Sequence, residues 1–190
     1  MSPLSNEERR SLLQLARRAI VETVCLGRPP EIPAASGGLA VRRGAFVTLF
    51  LRQRLRGCIG KLEPDEPLTA AVMRCAMGAA LADPRFLPVT AEEAADLEVE
   101  VSVLSALEAA RPEQIEVGRH GLVVALEGRR GVLLPQVAAG RGWTRERFLE
   151  ETCAKAGLPP DAWKDSAAQL WVFTTESLSE ADFRVPSPAH

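Results

Sequence analysis

The segment Leu97-Glu98-Val99-Glu100-Val101-Ser102-Val103 alternates apolar and polar residues, a period of two that fits a β-strand with one buried face. The valines take one side; Glu98, Glu100 and Ser102 take the other. A second segment, Leu55-Arg56-Gly57-Cys58-Ile59-Gly60, sets one thiol between two glycines with a guanidinium two residues upstream. As a regular strand it places Arg56, Cys58 and Gly60 on one face and Leu55, Gly57 and Ile59 on the other. Glycine inside a strand marks a bulge or a close approach by another backbone or a ligand. An approachable thiol with Arg56 as its same-face neighbour is the expectation, with Leu55 and Ile59 as core anchors.

The strand before it, Gly44 to Leu51, is rich in aromatic and β-branched residues. With Arg52-Gln53-Arg54 as the link, the two form a hairpin. Ser5-Asn6-Glu7-Glu8 is a capping box opening a helix whose apolar residues run from Leu12 to Val24 and which stops at Gly27, Pro29 and Pro30. Residues 28 to 38 are an ordered connection. Leu68 to Ala82 is an alanine-rich helix that Asp83-Pro84 ends, and Thr90 caps a short third helix. Beyond Glu113 three short strands are expected, Ile115 to Val117, Gly121 to Leu126 and Gly131 to Leu134, as a small meander. Pro135 ends it, and one helical turn follows at Gln136 to Ala139. Thr144 caps a helix running to Ala156, Ala162 to Lys164 form a single turn, and Leu170 to Thr174 make the final strand. The tail from Pro186 to His190 is expected to be loose.

Size and composition narrow the function classes. The chain of 190 residues is 46% hydrophobic, enough for one domain with a core or two small lobes. A net charge of -2 and a pI near 5.8 provide no global field for phosphate, so nucleic-acid binding is disfavoured. Cys25, Cys58, Cys75 and Cys153 form no C-x-x-C pair, and the histidines are His120 and His190 alone. That pattern argues against a zinc site and against a disulfide scaffold, so no metal and no cofactor are expected. Cys25, Cys75 and Cys153 read as packing residues. No segment is long and apolar enough for a membrane span, and a reducing cytoplasm is the expected location.

With these pieces laid out, the chain resembles the AMMECR-domain family, called AmmeMemoRadiSam system protein A in bacteria. Gly44 to Leu49, the unsubstituted signature hexapeptide Leu55 to Gly60, Asp83-Pro84-Arg85-Phe86, Glu100 to Leu104, His120-Gly121-Leu122, Gly131 to Ala138 and Lys155 to Leu158 carry the resemblance. It implies an α+β fold of two unequal lobes: a larger antiparallel sheet flanked by helices, and a smaller three-stranded antiparallel sheet with helices. The division is then residues 1 to 106 with 169 to 190 in the larger lobe and 107 to 168 in the smaller. The family places the hexapeptide at a cleft between lobes, and its bacterial name implies a Memo-type protein and a radical SAM enzyme as partners.

Each candidate residue has two readings. Cys58 is a reactive thiol favoured as thiolate by Arg56, or a small packing group. Glu100 orients Arg56 or moves a proton, or belongs to a solvated face, the reading preferred for Glu98. His120 is a base for a cysteine nucleophile or a turn residue. Arg85 holds an anionic group or clamps its own loop through Asp83, and Gln136 reads a polar ligand or caps a helix. Cys58, Glu100 and His120 are thus the catalytic candidates; Arg56, Gly57, Gly60, Arg85 and Gln136 are the binding candidates. No complete triad can be assembled from these residues. A cleft that binds a protein, peptide or other sizeable ligand is therefore the leading expectation, with a cysteine-dependent enzyme of unknown reaction as the alternative.

Overall fold

The computed structural model describes residues 3 to 183; the tail from Pro186 to His190 lies outside them. The described residues form an α+β structure with two antiparallel four-stranded sheets. Two compact units divide the chain, one holding residues up to Leu104 together with those from Glu176 onward, the other holding Ser105 to Thr175.

In the first unit, helix α1 (Asn6–Leu26) starts where the capping box predicts: the Glu8 amide donates to the Ser5 hydroxyl, and the Ser5 amide donates to the Glu8 carboxylate. It ends at Gly27, whose φ of 66° is the left-handed conformation that glycine accepts without strain. Strands β1 (Ala45–Leu51) and β2 (Arg54–Lys61) form the expected hairpin. Helix α2 (Leu68–Leu81), the short helix α3 (Ala91–Asp96) with its Thr90 capping box, and strand β3 (Leu97–Leu104) follow. The sheet order is β2-β1-β3-β8, where β8 is Thr175–Ser179. Ala45, Val47 and Leu49 of β1 and Val99, Val101 and Val103 of β3 meet Leu12, Ala16, Ile20, Val72 and Ala76 of the helices in one core. The alternation of β3 holds on its valine side, which is buried, while its polar side is mixed: Glu98 and Glu100 are half-buried and Ser102 is buried.

The second unit corrects the expected meander. Its sheet has four strands in the order β4-β7-β5-β6: β4 (Glu108–Ala109), β5 (Gly121–Leu126), β6 (Arg129–Leu133) and β7 (Gln169–Phe173). Ile115 to Val117 is not a strand. A 3-10 turn occupies Pro112–Gln114, and the Arg119 and His120 amides both donate to the Glu116 carbonyl, so the local backbone groups are spent on turns. Strand β7, expected with the larger lobe, pairs with β5 of this sheet. Helix α4 (Pro135–Gly140) follows β6, and α5 (Arg145–Lys155) buries Phe148, Leu149 and Cys153 against Leu122, Val124, Leu170 and Val172. Cys75 and Cys153 are buried, but Cys25, near the end of α1, is exposed rather than packed.

Candidate functional site

The hairpin register explains how Cys58 is presented. Thr48 faces Cys58 and Leu49 faces Gly57, but Phe50 faces Leu55, so Arg56 is an extra residue in β2. Such a bulge shifts every residue before it to the opposite side of the sheet. Leu55 accordingly leaves the core face, joins Phe50 on the outer one, and is 40% exposed. The expected core role of Leu55 fails for this reason, while Ile59 does pack against the core.

The outer face carries a row across three strands. Cys58 on β2, Thr48 on β1 and Glu100 on β3 are paired in register, and the Thr48 hydroxyl lies 3.3 Å from the Cys58 sulfur. β1 stands between the other two strands, so Cys58 and Glu100 are two strand spacings apart, roughly 9.5 Å. Glu100 therefore does not orient Arg56. Burial, with Asp182 nearby, raises its carboxyl pKa, which favours the protonated form. A concavity of about 230 Å³ opens beside it, lined by Phe50, Gln53, Glu98, Val99, Glu100 and Ser179.

β2 is the outermost strand of its sheet, and the segment after α2 closes its free edge. The Cys58 amide donates to Asp83 Oδ2 at 2.8 Å. Arg85 grips the same carboxylate twice, Nε to Oδ1 at 2.9 Å and Nη2 to Oδ2 at 2.7 Å, and reaches the Cys58 carbonyl at 3.4 Å. Both backbone groups of Cys58 thus meet one ion pair, which supplies the pairing a neighbouring strand would give. The Asp83 side chain is 2% exposed and the Arg85 side chain 49%. Arg85, followed by the Cys58 amide, holds the Asp83 carboxyl well below the usual carboxylate range. The clamp reading and the anion reading of Arg85 are compatible, because one edge of its guanidinium is bound and much of its surface is open.

Arg56 serves elsewhere. It pairs with Glu93 of α3, Nε at 3.0 Å and Nη2 at 2.8 Å, and donates to the carbonyls of Leu87 and Pro88 at 2.9 and 3.2 Å. Its charge is neutralised by Glu93 and engaged in pinning the loop between α2 and α3. Gly57 and Gly60 leave no room for a ligand either. A Cβ on Gly57 would sit 2.1 Å from the Ala79 carbonyl oxygen of α2, and one on Gly60 would sit 2.0 Å from the Phe46 ring. The glycines make room for the protein's own helix and ring.

Two candidates belong to the second unit. His120 accepts the Glu116 amide at Nδ1, 3.1 Å away, and so completes the turn before β5. Gln136 is exposed in the first turn of α4, after Pro135. Thr48 and Glu93 are the residues that sequence reasoning missed. Thr48 was accessible in principle from the hairpin register, whereas Glu93 lies 37 residues from Arg56 with no local signal to pair them. Among the described residues no group of three His, Cys, Asp or Glu side chains is placed to hold a metal ion.

Two four-stranded antiparallel sheets with helices, one of them presenting an edge cysteine clamped by an Asp-Pro-Arg turn, define the class of domain. The AMMECR1 family model matches residues 13–178, and the chain belongs to that family. It is 44% identical over 190 residues to a protein of Methanothermobacter thermautotrophicus, covering 94% of this chain and 97% of the relative. A Pyrococcus furiosus protein is 45% identical over 190 residues, with 92% and 89% covered. The crystal structure of an uncharacterized protein from Pyrococcus horikoshii superposes with a TM-score of 0.88 at 43% identity, covering 93% of each chain.

Proposed function

We propose that the outer face around Cys58 binds a protein or peptide partner through an anionic group seated on Arg85, and that the thiol packs against that partner rather than attacking it. One observation carries this reading. Arg85 is fixed by two hydrogen bonds to Asp83 yet keeps 49% of its side chain exposed beside Cys58. A cation held in place before binding costs little further side-chain ordering when an anion docks. At the thiol, the polar side chains are the Thr48 hydroxyl, 3.3 Å from the sulfur, and the Arg85 guanidinium, which interacts with the Cys58 side chain; neither is a general base at neutral pH. The partners consistent with the family resemblance are a Memo-type protein and a radical SAM enzyme, in a cytoplasm where the four cysteines remain thiols.

The test is recovery of those two purified proteins on the immobilised full-length chain. Arg85→Ala is expected to reduce recovery strongly while Arg18→Ala, at an exposed ion pair on α1, leaves it unchanged, with circular dichroism confirming the fold of each variant. Unchanged recovery with Arg85→Ala, or no recovery with the wild type, contradicts the proposal.

A further inference from the structure

Arg85 stands at one end of the outer face of the first sheet, and the other end of that face carries the opposite charge. The strand register sets Cys58, Thr48 and Glu100 in one row across the face, and Leu55, Phe50 and Glu98 in the next. The Arg85 guanidinium meets the Cys58 side chain. A cation therefore stands at the β2 end of these rows and two carboxylates at the β3 end. Glu100 is half-buried, and among the described residues its carboxyl has no hydrogen-bond donor or cation beside it; a charged neighbour, Asp182, has the same sign. Burial without a partner disfavours the ionised carboxylate, and an arriving cation removes that cost.

The hollow of about 230 Å³ beside Glu100 decides which cation fits. Phe50 forms part of its wall, and an aromatic ring attracts an ammonium or guanidinium group. A metal ion fits less well, because among the described residues no three acidic, His or Cys side chains are grouped to hold one. Nucleic acid fits less well too, since its phosphates would meet like charge at Glu98 and Glu100.

We infer that the polypeptide segment docking on this face is bipolar: its acidic group sits on Arg85, and a lysine or arginine side chain nearby in the same segment enters the hollow against Glu100 and Phe50. The spacing of the two charges follows from the sheet. Cys58 and Glu100 are two strand spacings apart, roughly 9.5 Å, which an extended segment crosses in about three residues. The inference rests on the Arg85 reading of the site and adds a second charge, which orients the partner and rejects segments that are acidic throughout.

The experiment pans a phage-displayed library of random peptides against the full-length chain, then measures a labelled enriched peptide by fluorescence polarisation. Enriched sequences are expected to pair Asp or Glu with Lys or Arg about two to four residues apart. Two double-mutant cycles then locate each charge. Glu100→Gln should weaken the peptide about tenfold, and should cost nothing further once the peptide's basic residue is replaced by methionine. Arg85→Ala should behave in the same way towards the peptide's acidic residue. Circular dichroism confirms the fold of both variants. Coupling at Arg85 without coupling at Glu100 overturns the inference and leaves the Arg85 reading standing. No enriched peptide, or enriched peptides without a basic residue, also overturns the inference, while recovery of the two purified proteins still decides the Arg85 reading. An enriched peptide with no coupling at Arg85 contradicts both.

Discussion

The two sheets are built alike at their glycines and differ at their edges. In the first, the Ala79 carbonyl of α2 closes on Gly57 of the outer strand β2, and the Phe46 ring lies over Gly60. In the second, the Thr152 carbonyl of α5 closes on Gly131 of the outer strand β6, and the Phe173 ring lies over Gly121. A helix backbone on an edge glycine and a phenylalanine over a strand glycine thus recur in two unrelated stretches of sequence. The glycines beside Cys58 are architecture. What sets the first edge apart is the buried carboxylate and half-exposed guanidinium that grip the backbone of its cysteine.

The comparison is most exposed to test at the shared glycines. Alanine at Gly57 or Gly131 would set its Cβ 2.1 or 2.3 Å from a backbone carbonyl oxygen, and each substitution is expected to destabilise its own unit by about 3 kcal/mol or more. Urea unfolding checks this, with circular dichroism following both units and tryptophan fluorescence following the second, which holds Trp143, Trp163 and Trp171. A Gly57→Ala variant as stable as wild type would show that α2 does not rest there and would return the glycine to the site.

Asp83 probes the difference between the sheets. Asp83→Asn weakens the bonds to the Cys58 amide and Arg85 and is expected to cost about 2 kcal/mol at neutral pH, the scale of hydrogen bonds to a charged group. Because the folded state lowers the Asp83 pKa, its stabilisation is complete above the unfolded-state value of about 3.9 and is lost as pH falls below it. The stability gap between wild type and Asp83→Asn should hold from pH 7 to about 5 and narrow at more acid pH. A gap that widens on acidification would mean the carboxyl is not ionised in the fold. A smaller effect is expected at Thr48: valine there should change stability by less than about 1 kcal/mol, since the hydroxyl to sulfur contact is a weak one.

How far the sequence spoke for the structure depended on the range of each interaction. The capping box at Ser5 and the N-cap at Thr90 were legible because donor and acceptor lie within four residues of one another. The Asp83 to Arg85 contact was visible as one of two options, being two residues long. The β2 bulge was not, because alternation alone cannot register an extra residue, and it moved Leu55 to the opposite face. Strand β8 was missed since only Leu178 of Thr175–Ser179 is a buried apolar residue. Glu93 took Arg56 away from the thiol through a contact that exists only once α3 is packed.

The central claim, that Cys58 packs rather than reacts, is tested most directly by its alkylation rate in the folded full-length chain, with exposed Cys25 as the internal reference. Iodoacetamide labelling at pH 7.5, resolved by peptide mass spectrometry, should find Cys25 modified first, Cys58 no faster than Cys25, and Cys75 and Cys153 protected until unfolding. Cys58 reacting more than about tenfold faster than Cys25 would mark an activated thiol and contradict the binding reading.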